Sequence, residues 1–227
     1  MSKQVLQKLR LSLEKTQEDE TKLRGSKALH TSVLRNIARY GFQEIKTLPK
    51  DQVFALCEQL LASGDGPERL IAFQWAFRIR KQFDPEDFGR FERWLSEFVT
   101  GWGSCDDFCT HAFGYFIYAY PQFIPNLTRW TRSTNRWFRR GGAVVLIYAI
   151  RRGKNFQAAF EIADRLLTDP DDLVQKGYGW MLKEISNLEP EAVYNFVLER
   201  KDRMPRTALR YAIEKLDPQS RAAAMAK

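Results

Sequence analysis

The apolar positions of this chain recur with the spacing of an amphipathic helix. In "VLQKLRLSLEK" they fall at Val5, Leu6, Leu9 and Leu13, and "QVFALCEQLL" and "RLIAFQWAF" repeat that spacing. Residues three and four apart lie on one face of an α-helix, so this periodicity predicts helices that bury one side. No stretch shows the strict alternation that is typical of a half-buried strand.

Short turn-forming stretches separate the periodic segments. In several of them Pro follows an acidic residue, as in Glu189-Pro190 and Asp217-Pro218. This order favours a helix start, because the first helical residues need no backbone N–H. "AVVLIYAI" has the composition of a buried strand, but it continues from the helical pattern of "NRWFRRGG". It is therefore predicted to be the apolar end of a buried helix.

These segments predict about a dozen helices of roughly ten to eighteen residues, joined by tight turns. Helix pairs recur every ~35 to 40 residues, which is the period of stacked helical repeats. No linker divides the chain. We therefore expect an all-α protein whose residues 1–227 form a single helical-repeat domain, an α-solenoid or superhelix.

Composition and charge narrow the class of protein. Of the 227 residues 44% are hydrophobic, which is enough for a large core, and the net charge is +8. The three cysteines form no secretory disulfide framework, and the longest apolar run is far shorter than the ~20 residues that span a bilayer. We expect a soluble, cytoplasmic protein whose partner is a polyanion such as nucleic acid.

The positive charge is concentrated in one part of the chain. The span 108–160 contains no Asp or Glu, and its eight basic residues equal the whole net charge: Arg129, Arg132, Arg136, Arg139, Arg140, Arg151, Arg152 and Lys154. Seven of the eight are Arg, whose guanidinium can hold a phosphate through two hydrogen bonds. Trp, Ser, Thr and Asn are interleaved with them and can also contact a nucleic-acid backbone. A solvated helix face is the alternative, although such a face usually mixes charges of both signs.

The stretch "GWGSCDDFC", residues 101–109, leads into this basic span. Ser104 followed by Asp107 resembles a capping box, which would place Asp106 in the first turn of a helix. On that interpretation the two acids only favour the helix start, and Trp102 belongs to the core. The functional alternative is a carboxylate that stabilises a cationic sugar while a glycosidic bond is cleaved.

Other chemistries find little support in the sequence. Cys105, Cys109 and His111 lack a fourth ligand at a suitable spacing, so no metal site is expected. No P-loop and no dinucleotide-binding motif occurs, and no cofactor is expected. The pairs Gly141-Gly142 and Gly177/Gly179 fall within helical patterns, where small residues allow close approach to the backbone.

Three motifs together resemble the DNA alkylation repair enzyme family, the AlkD-like DNA glycosylases built from HEAT-like repeats. They are "WGSCD", with Trp102 four residues before Asp106; "NRWFRR", residues 135–140; and "QKGYGW", ending at Trp180 and followed by Lys183-Glu184. Their order and separations agree with the family's, and the resemblance runs from about Leu29 to the C-terminus.

The resemblance implies a concave basic surface that binds double-stranded DNA with alkylated bases. It implies base excision repair by a monofunctional hydrolase that removes purines alkylated at N3 or N7. In this family two tryptophans and an aspartate contact the lesion-bearing deoxyribose, and here they correspond to Trp102, Trp180 and Asp106. Arg140 or Arg139 would hold a backbone phosphate. The DNA-binding set that we expect also includes Arg132, Arg136, Lys154 and Lys176, in a monomer without metal, cofactor or membrane partner.

Two alternatives remain open at this point. Asp107 adds a second carboxylate, so the choice of Asp106 rests on spacing alone. The family also includes members without glycosylase activity, so a non-catalytic HEAT-repeat protein that binds damaged, branched or otherwise unusual DNA is the alternative function. The presence of both tryptophans and the aspartate favours the enzyme.

Overall fold

The computed structural model describes residues 2–25 and 28–226, and within them it contains α-helices, two one-turn 3₁₀ helices and no strand. The prediction of an all-α fold is therefore confirmed. The chain divides into two compact units, Met1–Asp87 and Phe88–Lys227, which we call the first and second units. The expectation of a single domain over residues 1–227 stays a prediction.

Four helices form the first unit: α1 (Ser2–Arg24), α2 (Thr31–Phe42), α3 (Lys50–Ala62) and α4 (Gly66–Arg78), followed by a 3₁₀ helix at Arg80–Gln82. The apolar residues of the α1 pattern are buried, as their spacing predicts. α4 packs against both α2 and α3. Its start is capped by Asp65, whose carboxylate accepts a hydrogen bond from the backbone N–H of Glu68 at 2.9 Å.

The remaining helices are α5 (Asp87–Glu97), α6 (Trp102–Thr110), α7 (Ala112–Ala119), α8 (Ile124–Trp130), α9 (Arg136–Val144), α10 (Ile147–Ile150), α11 (Phe156–Arg165), α12 (Asp172–Ser186), α13 (Pro190–Leu198), α14 (Arg206–Ala212) and α15 (Pro218–Met225), with a 3₁₀ helix at Pro121–Phe123. α12 is central to the second unit, because it packs against α9, α11, α13 and α14. α9 in turn packs against α6. These contacts bring α6, α9, α12 and α14 around one place.

The prolines mark two helix starts as predicted, since α13 begins at Pro190 and α15 at Pro218. "AVVLIYAI" is buried and helical, but the prediction of one continuous helix from α9 is wrong. α9 ends at Val144 and α10 begins at Ile147. The N–H of Leu146 bonds to the carbonyl of Ala143, three residues back, so a tightened turn interrupts the α-helix.

Candidate functional site

Helices α6, α9, α12 and α14 of the second unit line an open cleft of about 320 Å³. The lining residues are Trp102, Asp106, Arg140, Leu173, Lys176, Trp180, Lys183 and Tyr211. The cleft thus contains both tryptophans and the aspartate that the sequence motifs single out, although Trp102 and Trp180 are 78 residues apart in the chain. The stacking of α6, α9 and α12 brings them together.

α6 begins earlier than the sequence pattern predicts. Its N-cap is Gly101, so Ser104 is the third helical residue and Asp106 lies in the second turn. The prediction that Ser104 caps the helix and that Asp106 lies in its first turn is therefore wrong. The Ser104 hydroxyl instead bonds back to Gly101, donating to its carbonyl at 2.9 Å and accepting from its N–H at 3.3 Å. Ser104 thus supplies the returning half of a capping box, while a glycine stands where the sequence led us to expect a side-chain cap.

The two acids of α6 have different surroundings. Trp102 and Asp106 are four residues apart and line the same cleft, with Trp102 62% exposed. Asp107 is buried and is absent from the cleft lining. One of its carboxylate oxygens lies 3.6 Å from Nδ1 of His111. The helical offset of about 100° between neighbouring residues separates the two carboxylates.

A two-pronged ion pair holds Asp106 in place. Nε of Arg140 donates to Oδ1 of Asp106 at 2.9 Å, and Nη2 donates to Oδ2 at 2.8 Å. The remaining guanidinium nitrogen donates to the carbonyl of Leu173, at the start of α12. The Arg140 side chain is only 6% exposed and that of Asp106 19%. Arg140 on α9 therefore forms hydrogen bonds to both α6 and α12.

Burial and pairing act in opposite directions on this pair. Burial raises the pKa of Asp106, and the hydrogen bonds and charge of Arg140 reduce that rise without reversing it. Burial alone would lower the pKa of Arg140, but the hydrogen bonds and the charge of Asp106, together with Cys105 and Cys109, outweigh burial and raise it. Arg140 therefore keeps its charge, while the Asp106 carboxylate is somewhat easier to protonate than a free one.

One face of α12 forms a wall of the cleft. Lys176, Trp180 and Lys183 follow one another at intervals of four and three residues, the spacing of a helix face. The indole N–H of Trp180 donates to Oε1 of Glu184 at 2.7 Å, and Glu184 also accepts two hydrogen bonds from Arg151. These bonds fix the orientation of the Trp180 ring.

Two glycines allow α12 to approach its neighbours, as the sequence led us to expect. A Cβ on Gly179 would lie 2.8 Å from both the Ala208 carbonyl oxygen and Cβ of Tyr211. A Cβ on Gly177 would lie 3.1 Å from Cγ of Arg140. Larger residues at these positions would push α12 away from α14 and from Arg140, and would therefore widen the cleft.

The chain was compared with known families and proteins. The model of the DNA alkylation repair enzyme family matches residues 13–216. The chain belongs to this family. Among solved structures, a predicted DNA alkylation repair enzyme from Enterococcus faecalis is similar, with a TM-score of 0.72 and 17% identity over 85% of this chain and 88% of that one. At that identity the likeness concerns the fold. A comparison with curated proteins found no match.

In this member of the DNA alkylation repair family, most of the predicted DNA-binding arginines carry carboxylate partners. Arg136 pairs with Asp171 at 2.9 Å, and Arg139 pairs with Asp169 at 2.7 Å. The span 108–160 contains no acid, but the segment that follows it supplies these acids. The positive charge of the span is therefore partly neutralised in the folded chain, which its local composition does not reveal.

The remaining predicted basic residues lie in three different settings. Lys176 lines the cleft and pairs with Asp172 at 2.8 Å. Arg132 is exposed. Lys154 is exposed as well, and its ammonium group lies 5.3 Å from the centre of the Tyr118 ring. Arg132 and Lys154 are absent from the cleft lining. Of the six predicted DNA-binding residues, only Arg140 and Lys176 therefore line the cleft with Asp106.

The sequence did not assign three lining residues to the site: Leu173, Tyr211 and Lys183, which it named only as part of the third motif. Lys183 carried a usable signal, because it lies seven residues after Lys176 and three after Trp180 on one helix face. Tyr211 had no such signal, since its position depends on the packing of α14 against α12, which is close at Gly179. Among the residues described, no three His, Cys, Asp or Glu side chains group as metal ligands would, and no helix is long and apolar enough to cross a membrane.

Proposed function

We propose that this chain is a monofunctional DNA glycosylase that removes cationic N3- and N7-alkylated purines from duplex DNA. The observation that carries the proposal is the Asp106 carboxylate, held in an open cleft that Trp102 and Trp180 also line. The chain would act as a monomer, without a metal or cofactor, on HEAT-like stacked repeats. The membership of the DNA alkylation repair family supports this choice of substrate.

The reaction cleaves the bond between C1′ of deoxyribose and the purine nitrogen. An alkylated purine carries a positive charge, so it departs as a neutral base with both bonding electrons and needs no proton. The sugar becomes oxocarbenium-like, and the negative charge of Asp106 stabilises it. A water oxygen then bonds to C1′ and releases one proton to solvent.

Asp106 retains the capacity for this role although it is paired. Each of its oxygens accepts one hydrogen bond from Arg140 and keeps a second lone pair for a water molecule. Arg140 holds the carboxylate in one orientation and is itself held by the Leu173 carbonyl. The site therefore needs little reorganisation when the charge develops on the sugar.

The two tryptophans would flank the sugar. Aromatic faces attract cations, so they favour a deoxyribose that gains positive charge. Trp102 is largely exposed, and Trp180 is fixed by Glu184. Because the cleft is open, bulky cationic adducts also fit this proposal. Lys176 and Lys183 at its wall would meet backbone phosphates, together with the exposed Arg132 and Lys154.

The decisive experiment measures purine release from a duplex that contains one N7-methylguanine. We expect Asp106→Asn to lower the release rate about 10²- to 10³-fold, because it removes the negative charge that stabilises the sugar cation. Binding to undamaged duplex should change little. A duplex with uracil at the same position should release nothing, since uracil is not cationic.

Asp107→Asn is the matched control, because it removes a neighbouring carboxylate of the same helix that does not line the cleft. It should release N7-methylguanine at the wild-type rate. Wild-type release by Asp106→Asn would contradict the assignment of Asp106. Loss of release in Asp107→Asn alone would transfer the role to the other acid.

A second function is favoured by the ion pair itself. The positive charge of Arg140 offsets the negative charge of Asp106, so Asp106 attracts a sugar cation less strongly. A non-catalytic protein that binds damaged or branched DNA does not need that attraction. The same assay separates the two functions. Tight binding of the N7-methylguanine duplex without any purine release by the wild-type chain would establish the non-catalytic one.

A further inference from the structure

A second arginine cluster lies in the first unit, outside the cleft. Arg39 is in the last turn of α2, Arg78 is the last residue of α4, and Arg80 begins the 3₁₀ helix that follows. Among the residues described, no carboxylate lies within ion-pair distance of Arg39 or Arg78. We call these three residues the Arg39–Arg78–Arg80 cluster.

The members of this cluster repel one another. Burial lowers the pKa of Arg78, and the positive charges of Arg39 and Arg80 lower it further. Nε of Arg78 is buried and has no hydrogen-bond partner. A buried donor without a partner costs free energy, as does each like charge nearby. An anion beside the guanidinium groups would offset the like-charge cost.

The helices hold these arginines in place. The indole N–H of Trp75 on α4 donates to the Ala38 carbonyl of α2 at 2.9 Å. A Cβ on Gly41 would lie 3.2 Å from the Trp75 ring, so the two helices touch at this point. Ala38 and Gly41 bracket Arg39, and Trp75 precedes Arg78 by one turn. The cluster is thus built on a rigid contact between helices rather than on a loop.

Aromatic rings support the guanidinium groups. The Arg39 guanidinium lies 4.8 Å from the centre of the Tyr40 ring, and Arg78 lies 5.6 Å from the Phe42 ring. The Arg80 guanidinium lies 4.5 Å from the Phe77 ring. Nη2 of Arg39 also donates to the Tyr40 hydroxyl at 3.1 Å, and Nη1 of Arg80 donates to the Phe77 carbonyl at 3.1 Å. A guanidinium carries five N–H donors, so one such bond does not exhaust its capacity to bind an anion. Tyr40 is 67% exposed, so the cluster borders solvent.

We infer that the Arg39–Arg78–Arg80 cluster binds phosphate. Arginines recognise phosphate through paired N–H groups, and a phosphate beside this cluster would offset the repulsion between its like charges. The phosphate is either a phosphodiester of the DNA backbone or a free phosphate ion. The DNA source rests on the function proposed above, whereas the anion site itself does not.

The first experiment measures binding of the full-length protein to an undamaged duplex at several salt concentrations. In Arg39→Gln and in Arg78→Met, we expect the slope of log K against log salt to fall by about 0.9 for each lost phosphate contact. Lys8→Gln is the control, because it removes one positive charge of the same unit that is already paired with Glu44. Its slope should stay close to that of the wild type.

The second experiment uses inorganic phosphate alone. Phosphate should raise the unfolding temperature of the wild type more than chloride does at the same ionic strength, because a ligand that binds only the folded state stabilises it. In Arg78→Met, phosphate should raise the unfolding temperature no more than chloride does. In phosphate-free buffer the variant should unfold no earlier than the wild type, because it no longer contains the like-charge repulsion.

The outcomes separate the sources of phosphate. A reduced slope assigns the cluster to DNA, whatever the result of the purine-release assay. If the salt slope is unchanged but phosphate no longer raises the unfolding temperature, the cluster binds free phosphate. If Arg39→Gln and Arg78→Met change neither the salt slope nor the rise in unfolding temperature with phosphate, the inference is wrong.

Discussion

Two groups of arginines in this chain differ in a way that their sequence surroundings do not suggest. Arg136 and Arg139 belong to a span without acids, yet each holds a carboxylate within 2.9 Å. Arg39 and Arg78 belong to a region with acids on both sides, yet no carboxylate pairs with either in the described structure. The number of acids near an arginine in the sequence therefore does not predict whether it pairs with a carboxylate after folding.

The paired arginines have partners that are far away in the sequence, at similar separations. Arg139 and Asp169 are 30 residues apart, Arg151 and Glu184 are 33 apart, and Arg140 and Asp106 are 34 apart. These separations are slightly shorter than the ~35 to 40 residues at which helix pairs recur. An arginine of one helix pair thus meets an acid of the preceding or the following helix pair. This regularity supports the proposal that the helices stack as repeats.

Loss of the buried Arg140–Asp106 pair of the cleft should destabilise the protein more than any other change considered. Arg140→Met should lower the free energy of unfolding by about 3–5 kcal/mol, because it leaves the part-buried Asp106 carboxylate without its partner. Denaturant unfolding measures this loss. The double variant Arg140→Met with Asp106→Leu should recover part of it, since an apolar pair of similar volume can replace a buried ion pair.

The same variant should also change the pH dependence of purine release. Burial already raises the pKa of Asp106, and without Arg140 nothing opposes that rise. As the pH falls, the carboxylate is protonated and its negative charge is lost. Release by Arg140→Met should therefore decline at a higher pH than release by the wild type. Identical pH profiles would show that Arg140 does not act through the charge of Asp106.

The sequence was sufficient for the parts of the site that depend on one helix. Trp102 and Asp106 are one turn apart, and the helical face of α12 follows from its own spacing. The Arg140–Asp106 pair depends on how α9 packs against α6, and the position of Tyr211 depends on a close approach at Gly179. Those contacts join distant parts of the chain, so periodicity along one segment cannot reveal them. The helix start at Trp102 was missed because Gly101 offers no side-chain signal.

Two arginines of the basic span, Arg132 and Arg139, should differ in their effect on DNA binding. Arg132 is exposed, whereas the Arg139 side chain is only 15% exposed and already pairs with Asp169. If Arg132 contacts a phosphate, Arg132→Gln should reduce the salt slope for duplex binding by about 0.9. Arg139→Gln should reduce it less. Equal reductions would mean that Arg139 exchanges Asp169 for a phosphate when DNA binds.

The smallest effect should come from converting a paired arginine into an unpaired one. Arg151 pairs with Glu184 at 2.7 Å, and its guanidinium lies 5.9 Å from the Trp180 ring that lines the cleft. Glu184→Gln removes the negative charge but keeps an oxygen for the indole N–H of Trp180. The freed Arg151 should then attract duplex DNA and steepen the salt slope by less than one full contact, because its side chain is only 48% exposed. Lys183 belongs to the same wall and pairs with Glu214, so Glu214→Gln is the matched control for a second freed cation. An unchanged slope in both variants would show that the cations of this wall do not face the DNA backbone, and that paired and unpaired cations differ here only in stability.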